Sequence, residues 1–179
     1  GKDQKQHLEV ARDLAQKFNN EFGETFVVPE PAISEKTAIV PGLDGQKMSK
    51  SYDNTIPIFL DGKQLKKRVM AIQTDATPVE EPKDPDSCNL YQILKLFAAP
   101  ERLQEIHTLY VDGGAAYGYI KLELFELIND YFIEARTKKA EYLSDPIELR
   151  NILARGADKA REKATVTLDL VRDRVGIKY

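Results

Sequence analysis

Lys47-Met48-Ser49-Lys50-Ser51 packs two lysines and two serines into five residues, on a stretch that also carries Gly42 and Gly45. Lysine delivers a point charge on a long stem. Serine adds a hydroxyl donor, and glycine lets the backbone come close to a ligand. Together they suit a loop that closes over phosphates. The bland alternative is a solvated surface loop, where lysines cost nothing.

A second group opens the chain: Gly1-Lys2-Asp3-Gln4-Lys5-Gln6-His7. It reads as a helix start. Asp3 suits the cap and Gln6 stands three residues on, as in a capping box. The first turn of a helix also attracts polar ligand groups, so Asp3 can cap the helix and still face a ligand.

The elements that must position these groups follow from periodicity. Leu8, Ala11, Leu14, Ala15, Phe18 and Phe22 recur at helical spacing, which predicts a helix with one buried face, stopped at Gly23. Phe26-Val27-Val28 before Pro29, and Thr37 to Val40 before Pro41, are short strand candidates. A helix between short strands is an α/β signature. From about residue 60 the pattern is all helix. Asp61 can cap a helix with Leu65, Val69 and Ile72 on one side and Lys63, Lys66, Lys67 and Arg68 around the rest. Residues 77–85 hold three prolines and read as a loop. Ser87 starts a helix with Leu90, Ile93, Leu94 and Phe97; Pro100 starts another with Leu103, Ile106 and Leu109, broken at Gly113-Gly114. Ile120, Leu124, Leu127, Ile128 and Tyr131 stripe a longer helix. Asp145-Pro146 begins a last one carrying Ile152, Leu153, Ala157, Ala160, Ala164, Leu168 and Val171.

The totals bound the function. With 179 residues, the chain can form one large domain or two small ones. At 42% hydrophobic and 31% charged it is too apolar for disorder. A formal net charge of -3 means that any nucleic-acid site must be a local patch. Cys88 is the single cysteine, so an internal disulfide and a four-Cys zinc site are excluded; His7 and His107 show no metal spacing, and no metal site is expected. No apolar run approaches a membrane span and no signal peptide is visible, so an intracellular, cytoplasmic location without membrane contact is the expectation. Gly1 opens directly on a helix start with no methionine, which suggests a fragment of a longer protein.

Two motifs carry a family resemblance. Lys47 to Ser51 is identical to the KMSKS signature of class I aminoacyl-tRNA synthetases. Gly1 to His7 resembles the G-x-D-Q-x-x-H segment of the tryptophanyl-tRNA synthetase family, and the continuation through Gly23, with Phe26 and Pro29, is similar to it too. The resemblance covers essentially the whole chain and is specific in the first sixty or so residues. It implies a fold that is α/β and then all-α: the C-terminal part of a Rossmann-type nucleotide-binding domain over residues 1–60 with the signature loop, a helical tRNA (anticodon) binding domain over 61–144, and a C-terminal helix over 145–179 packing back on the catalytic domain.

The activity implied is activation of an amino acid. Its carboxylate attacks the α-phosphate of ATP, pyrophosphate leaves, and the amino acid then passes to tRNA. Lys47 and Lys50 are the implied catalytic residues, meeting charge that builds up in the transition state. Implied ATP contacts are Gly1, Lys2, Asp3, Ile39, Lys47, Met48, Ser49, Lys50 and Ser51, although the apolar side chain of Met48 suits packing against the domain. Ile39 falls where the family sets backbone atoms near the adenine; a core strand residue is its alternative. Gln4 is the implied tryptophan contact, at the amino end of the substrate. Partners implied are ATP with Mg2+, L-tryptophan and tRNA-Trp, in a homodimeric parent. Lys63, Lys66, Lys67 and Arg68 could contact tRNA phosphate, against the alternative of a solvated helix face.

The family's HIGH-type motif and the acidic residue that reads the indole N–H have no counterpart in these residues, so the chain alone is expected to be inactive. Tyr52-Asp53-Asn54 also stands where the family often has an Asp-Pro pair. Tyrosyl-tRNA synthetases share the fold and the signature loop, and a non-catalytic binding module derived from a synthetase is the alternative of another class.

Overall fold

A computed structural model of the chain describes residues 1–34 and 39–177, apart from the side chain of Asp3. The chain divides into two compact units, Gly1–Ala38 with Lys139–Tyr179, and Ile39–Lys138.

The second unit holds the hydrophobic core. Helix α2 (Gly62–Met70) buries Leu65 and Val69, four residues apart, and Ile72 follows them inward just past its end. Helix α3 (Asn89–Leu94) buries Leu90, Tyr91, Ile93 and Leu94. Helix α4 (Pro100–Asp112) buries Ile106 and Tyr110, and α5 (Tyr117–Tyr131) buries Ile120, Leu124 and Ile128. α2 packs against α5, and α3 packs on α5 as well. The stripe expected for α2 is buried, and so are Ile120, Leu124 and Ile128 of the one expected for α5, whereas Leu127 is half-buried and Tyr131 is exposed. On α4 the inward position falls on Tyr110 rather than Leu109, which stays exposed. The Tyr110 hydroxyl lies 3.4 Å from Cys88 Sγ, and burial pushes its ionisation well above the usual tyrosine range. α3 starts at Asn89, two residues later than the Ser87 start expected.

Residues 77–85 form the expected loop, and Lys83 within it is buried. Its ammonium donates to the carbonyls of Pro78 at 2.5 Å and Glu81 at 2.9 Å, and sits 5.5 Å from the Tyr117 ring centroid. The loop backbone presses against the end of α4. Gly114 N donates to Val79 O at 2.6 Å, and a Cβ on Gly113, whose φ is +91°, would stand 2.4 Å from Glu80 O. Only glycine fits there.

In the first unit a 3₁₀ turn, Lys2–Gln4, leads into α1 (Lys5–Phe22). Gly1 and Gln4 occupy the cap positions without a side-chain cap bond, and the capping box expected from Asp3 falls outside the described residues. The Asp3 side chain lies outside the described residues. Gly23 ends α1 with φ +87° as expected, and Arg174 lies close enough that any Cβ at Gly23 would strike its guanidinium. Arg174 Nη1 also donates to Phe22 O at 2.8 Å. Helix α6 (Ile133–Ser144) begins in the second unit and ends in the first. Helix α7 (Pro146–Arg174) is capped by Asp145, whose carboxylate accepts from the amides of Ile147 and Glu148.

Expectations about strands and about buried helix faces are corrected. Phe26 to Val28 is not a strand. Asn19 takes its polar groups instead: Oδ1 accepts from Thr25 N and Phe26 N, and Nδ2 donates to Phe26 O at 2.7 Å. Among the described residues there is no strand at all, only an isolated bridge between Pro41 and Lys47. A parallel strand exists only by hydrogen bonding to a neighbour, so an apolar run without one stays irregular. The second strand expectation falls partly on residues 35–38, outside the described residues; Ile39 and Val40 are irregular. Finally, the apolar faces of α1 and α7 are not buried. Phe18, Phe22 and Phe26 cluster with ring centroids about 5 Å apart but stay half-exposed, while Leu14 and Leu153 are each 64% exposed. Periodicity marks the face that can be covered and does not say that anything covers it.

Leu124 and Leu153 test this division. Leu124→Ala opens a cavity in a filled core and should cost about 2–5 kcal/mol. Leu153→Ala should stay within about 0.5 kcal/mol. Urea unfolding curves of the two variants, followed by circular dichroism, would expose an error if their midpoints moved alike.

Candidate functional site

The lysine loop is a closed ring of chain from Gly42 to Asn54. Its first half is a tight turn. Gly42 N donates to Gln46 O at 2.6 Å, Gly45 adopts φ +81°, and Asp44 Oδ1 accepts from Gln46 N at 3.0 Å. Pro41 and Lys47 then face each other in the isolated bridge, and Met48 N donates to Val40 O at 3.0 Å. The second half is one 3₁₀ turn, Lys50–Tyr52, with Ser49 as its cap. Ser49 Oγ accepts from Ser51 N, and the two serine hydroxyls lie 2.7 Å apart. Asp53 closes the turn in the left-handed region at φ 48°.

Asn54 joins the two halves. It is 3% exposed. Its Oδ1 accepts from Ser49 N at 2.7 Å, and its Nδ2 donates to Asp44 Oδ1 at 2.8 Å and to Lys47 O at 3.1 Å. Its backbone carbonyl accepts from Leu43 N at 2.8 Å.

Helices hold the ring from outside. Leu43 is buried in the core, and its carbonyl accepts from Gln73 N. Asn89, first residue of α3, donates from Nδ2 to Gly42 O and Leu43 O. Arg68 of α2 donates to Asp53 Oδ1 at 2.5 Å and to Asp53 O at 3.2 Å.

Lys47, Met48, Ser49, Lys50 and Ser51 are therefore brought together on one loop with both lysines exposed. Met48 is half-buried. Ile39, 62% exposed, heads the segment leading into the loop. Gly1, Lys2 and Gln4 belong to the other unit, on the 3₁₀ turn, where Gln4 N donates to Gly1 O at 3.0 Å. Gln4 lines an open groove there with His7, Leu8, Ala11 and Ile33. Among the described residues no group of three His, Cys, Asp or Glu side chains could hold a metal ion, and no helix is long and apolar enough to cross a membrane.

Sequence reasoning passed over Asp44, Asn54 and Asn89, and grouped Arg68 with the lysines of α2. Lys63, Lys66 and Lys67 are exposed, whereas Arg68 is half-buried and turned to Asp53. The only signal available was the residue type of Asn54, three positions past Ser51, since Asn can both donate and accept.

The contacts of Asn54 also leave an electrostatic mark. Its amide is the largest influence and holds the Asp44 carboxyl below its ordinary value of 3.8; desolvation opposes it, and the Gln46 amide adds a lesser lowering. A carboxyl lowered in the folded state adds stability above 3.8, and that stability is lost as pH falls through the lowered value. Asn54→Ala should move the Asp44 midpoint back up toward 3.8. A carboxyl-carbon NMR titration checks this, and an unchanged midpoint would break the link between the two side chains.

Comparisons with known proteins place the chain in a family. A family model described as "tRNA synthetases class I (W and Y)" matches residues 1–132. The tryptophan–tRNA ligase of Campylobacter jejuni (strain RM1221) is 48% identical over 177 residues, covering 99% of this chain and 56% of the relative. That of Rhodopirellula baltica is 47% identical over 178 residues, with 99% and 56% covered. The crystal structure of tryptophanyl-tRNA synthetase from Campylobacter jejuni complexed with ADP and tryptophan superposes with a TM-score of 0.78 at 48% identity, over 98% of this chain and 55% of that one. The enzyme from Mycoplasma pneumoniae gives 0.74 at 26% identity, over 99% and 55%. The chain spans about half the length of the relatives it matches. It belongs to the class I tRNA synthetase family of the tryptophan and tyrosine group, where these relatives are tryptophan–tRNA ligases.

Proposed function

We propose that this chain is the C-terminal part of a tryptophan–tRNA ligase, and that its lysine loop stabilises the transition state of tryptophan activation. The observation that carries the reading is the loop itself: Lys47 and Lys50 exposed on a ring whose backbone is tied at Asn54, Asp53 and Leu43. When the tryptophan carboxylate attacks the α-phosphate of ATP, charge grows on the phosphate oxygens and on the departing pyrophosphate. Two ammonium groups on a fixed backbone meet that charge without reorganising the loop. Ser49 and Ser51 supply hydroxyls beside them. Mg2+ would accompany the ATP phosphates as counter-ion.

Gly1, Lys2 and Asp3 would line the ATP ribose, Ile39 the adenine, and Gln4 the α-amino group of tryptophan. Residues 1–60 would complete a Rossmann-type catalytic domain, 61–144 would bind the anticodon end of tRNA-Trp, and 145–179 would pack back on the catalytic domain. The parent would act as a homodimer in the cytoplasm, producing tryptophanyl-tRNA, AMP and pyrophosphate.

Two measurements test this. Purified 1–179 should show no tryptophan-dependent pyrophosphate exchange into ATP, because the groups that hold both substrates for attack are incomplete; robust exchange would sink that expectation. In the full-length parent, Lys50→Ala should lower kcat for exchange about a hundredfold with little change in the KM for tryptophan, as expected for a group that acts in the transition state. Near-normal adenylate formation would reduce the loop to a solvated surface. Gln4→Ala should weaken tryptophan and its poor analogues alike. A collapse in the ratio of kcat/KM for tryptophan over tyrosine would mean that Gln4 reads the side chain instead.

A further inference from the structure

We infer that Asn54 is the positioning residue of the lysine loop, its carboxamide fixing the backbone on which Lys47 and Lys50 are mounted. The chemistry of the loop rests on the proposed function; the hold of Asn54 on the loop does not.

One planar group makes three of the contacts across the loop. Oδ1 fixes the amide of Ser49, the residue before Lys50. Nδ2 fixes the carbonyl of Lys47 itself and the carboxylate of Asp44. Both lysines thus have a backbone group bonded to Asn54, or bonded next to them. Asn can do this because it donates two hydrogens and accepts at one oxygen; Asp lacks the donors and Leu lacks all three. The group is 3% exposed, so water does not substitute when it is removed. Gly42 guards the other side of the amide. A Cβ there would stand 2.3 Å from Asn54 Cγ and Nδ2, and 2.8 Å from Asn54 O. The glycine thus leaves the space the carboxamide fills. The neighbouring tether, Arg68 on Asp53, acts on an exposed carboxylate and grips the far end of the turn rather than the lysines.

The test uses the full-length enzyme carrying this chain, with Asn54→Ala and Gly42→Ala removing or displacing the same amide. Trypsin cleaves after lysine, so cleavage after Lys47 and Lys50, read by mass spectrometry, reports the loop directly. Both variants should be cut about tenfold faster there, with the thermal transition of the whole enzyme still above the assay temperature. Pyrophosphate exchange should lose about tenfold in kcat with the KM for tryptophan within about twofold, a split that general destabilisation would not produce. Asn54→Asp should be as open as Asn54→Ala, because it sets a carboxylate against Asp44. Adding Asp44→Asn to Asn54→Asp should return only part of the protection, because it restores the bond between positions 44 and 54 while a carboxylate cannot donate to the Lys47 carbonyl.

Should Asn54→Ala fail to fold, Asp44→Ala removes only the surface partner and should still raise cleavage severalfold. Wild-type cleavage in Asn54→Ala and Gly42→Ala, or in Asp44→Ala where those do not fold, overturns the inference. Faster cleavage with unchanged kcat, in an enzyme that Lys50→Ala does impair, overturns it too. Faster cleavage with Lys50→Ala silent instead overturns the chemistry assigned to the loop and supports the hold of Asn54.

Discussion

A buried carboxamide that must find a partner for each of its polar atoms is the constraint on which the loop depends. Asn54 lies almost wholly out of solvent, and an unpaired amide there would cost about 1–3 kcal/mol for each group left bare. The chain answers by bending back on itself until Ser49 N, Lys47 O and Asp44 Oδ1 all reach that one side chain. Gly42 leaves room for the carboxamide, while Gly45 and Asp53 turn the chain with positive φ on either side of it. Leu43, on the same ring, sinks into the core and ties the polar knot to the apolar one.

Asn54 and Leu43 hold the backbone, and both lysines are exposed. Their charges sit at the surface, where hydration costs nothing. Arg68 differs in kind. Its fork is spent on Asp53, and it does for the end of the turn what Asn54 does for the middle. Of the four basic residues on α2, the one that matters to the loop is thus the one least exposed.

What could be read in the sequence follows from the range of the forces involved. Helix ends are set by contacts within a few residues, so Gly23, Pro100, Gly113 and Asp145 mark boundaries that the structure keeps. The stripes of α2 and α5 were legible because each spacing is local and the two helices then face one another. Strands are different. Phe26 to Val28 has the right residues, yet the N–H and C=O of Phe26 go to Asn19, seven positions back, and no rule of alternation carries that information. In the site, Lys47 and Lys50 could be found because the chemistry shows in their types. Asp44 and Asn89 could not, and Asn54 only by its type, because their meaning lies in which amides and carbonyls the folded chain brings within reach.

Lys83 shows the same logic carried to a charge. Its ammonium is surrounded by the carbonyl oxygens of Pro78, Val79 and Glu81, much as a bound cation is surrounded by its ligands. Fixed dipoles inside a protein are screened by salt far less than exposed ion pairs are. The loop over residues 78–83 should therefore keep its shape at ionic strengths that weaken the surface pairs of α7. A folded loop would also keep this one amine from electrophiles that acylate surface lysines. Reactivity at Lys83 becomes a gauge of whether the helical unit is closed, read at a residue remote in sequence from the lysine loop.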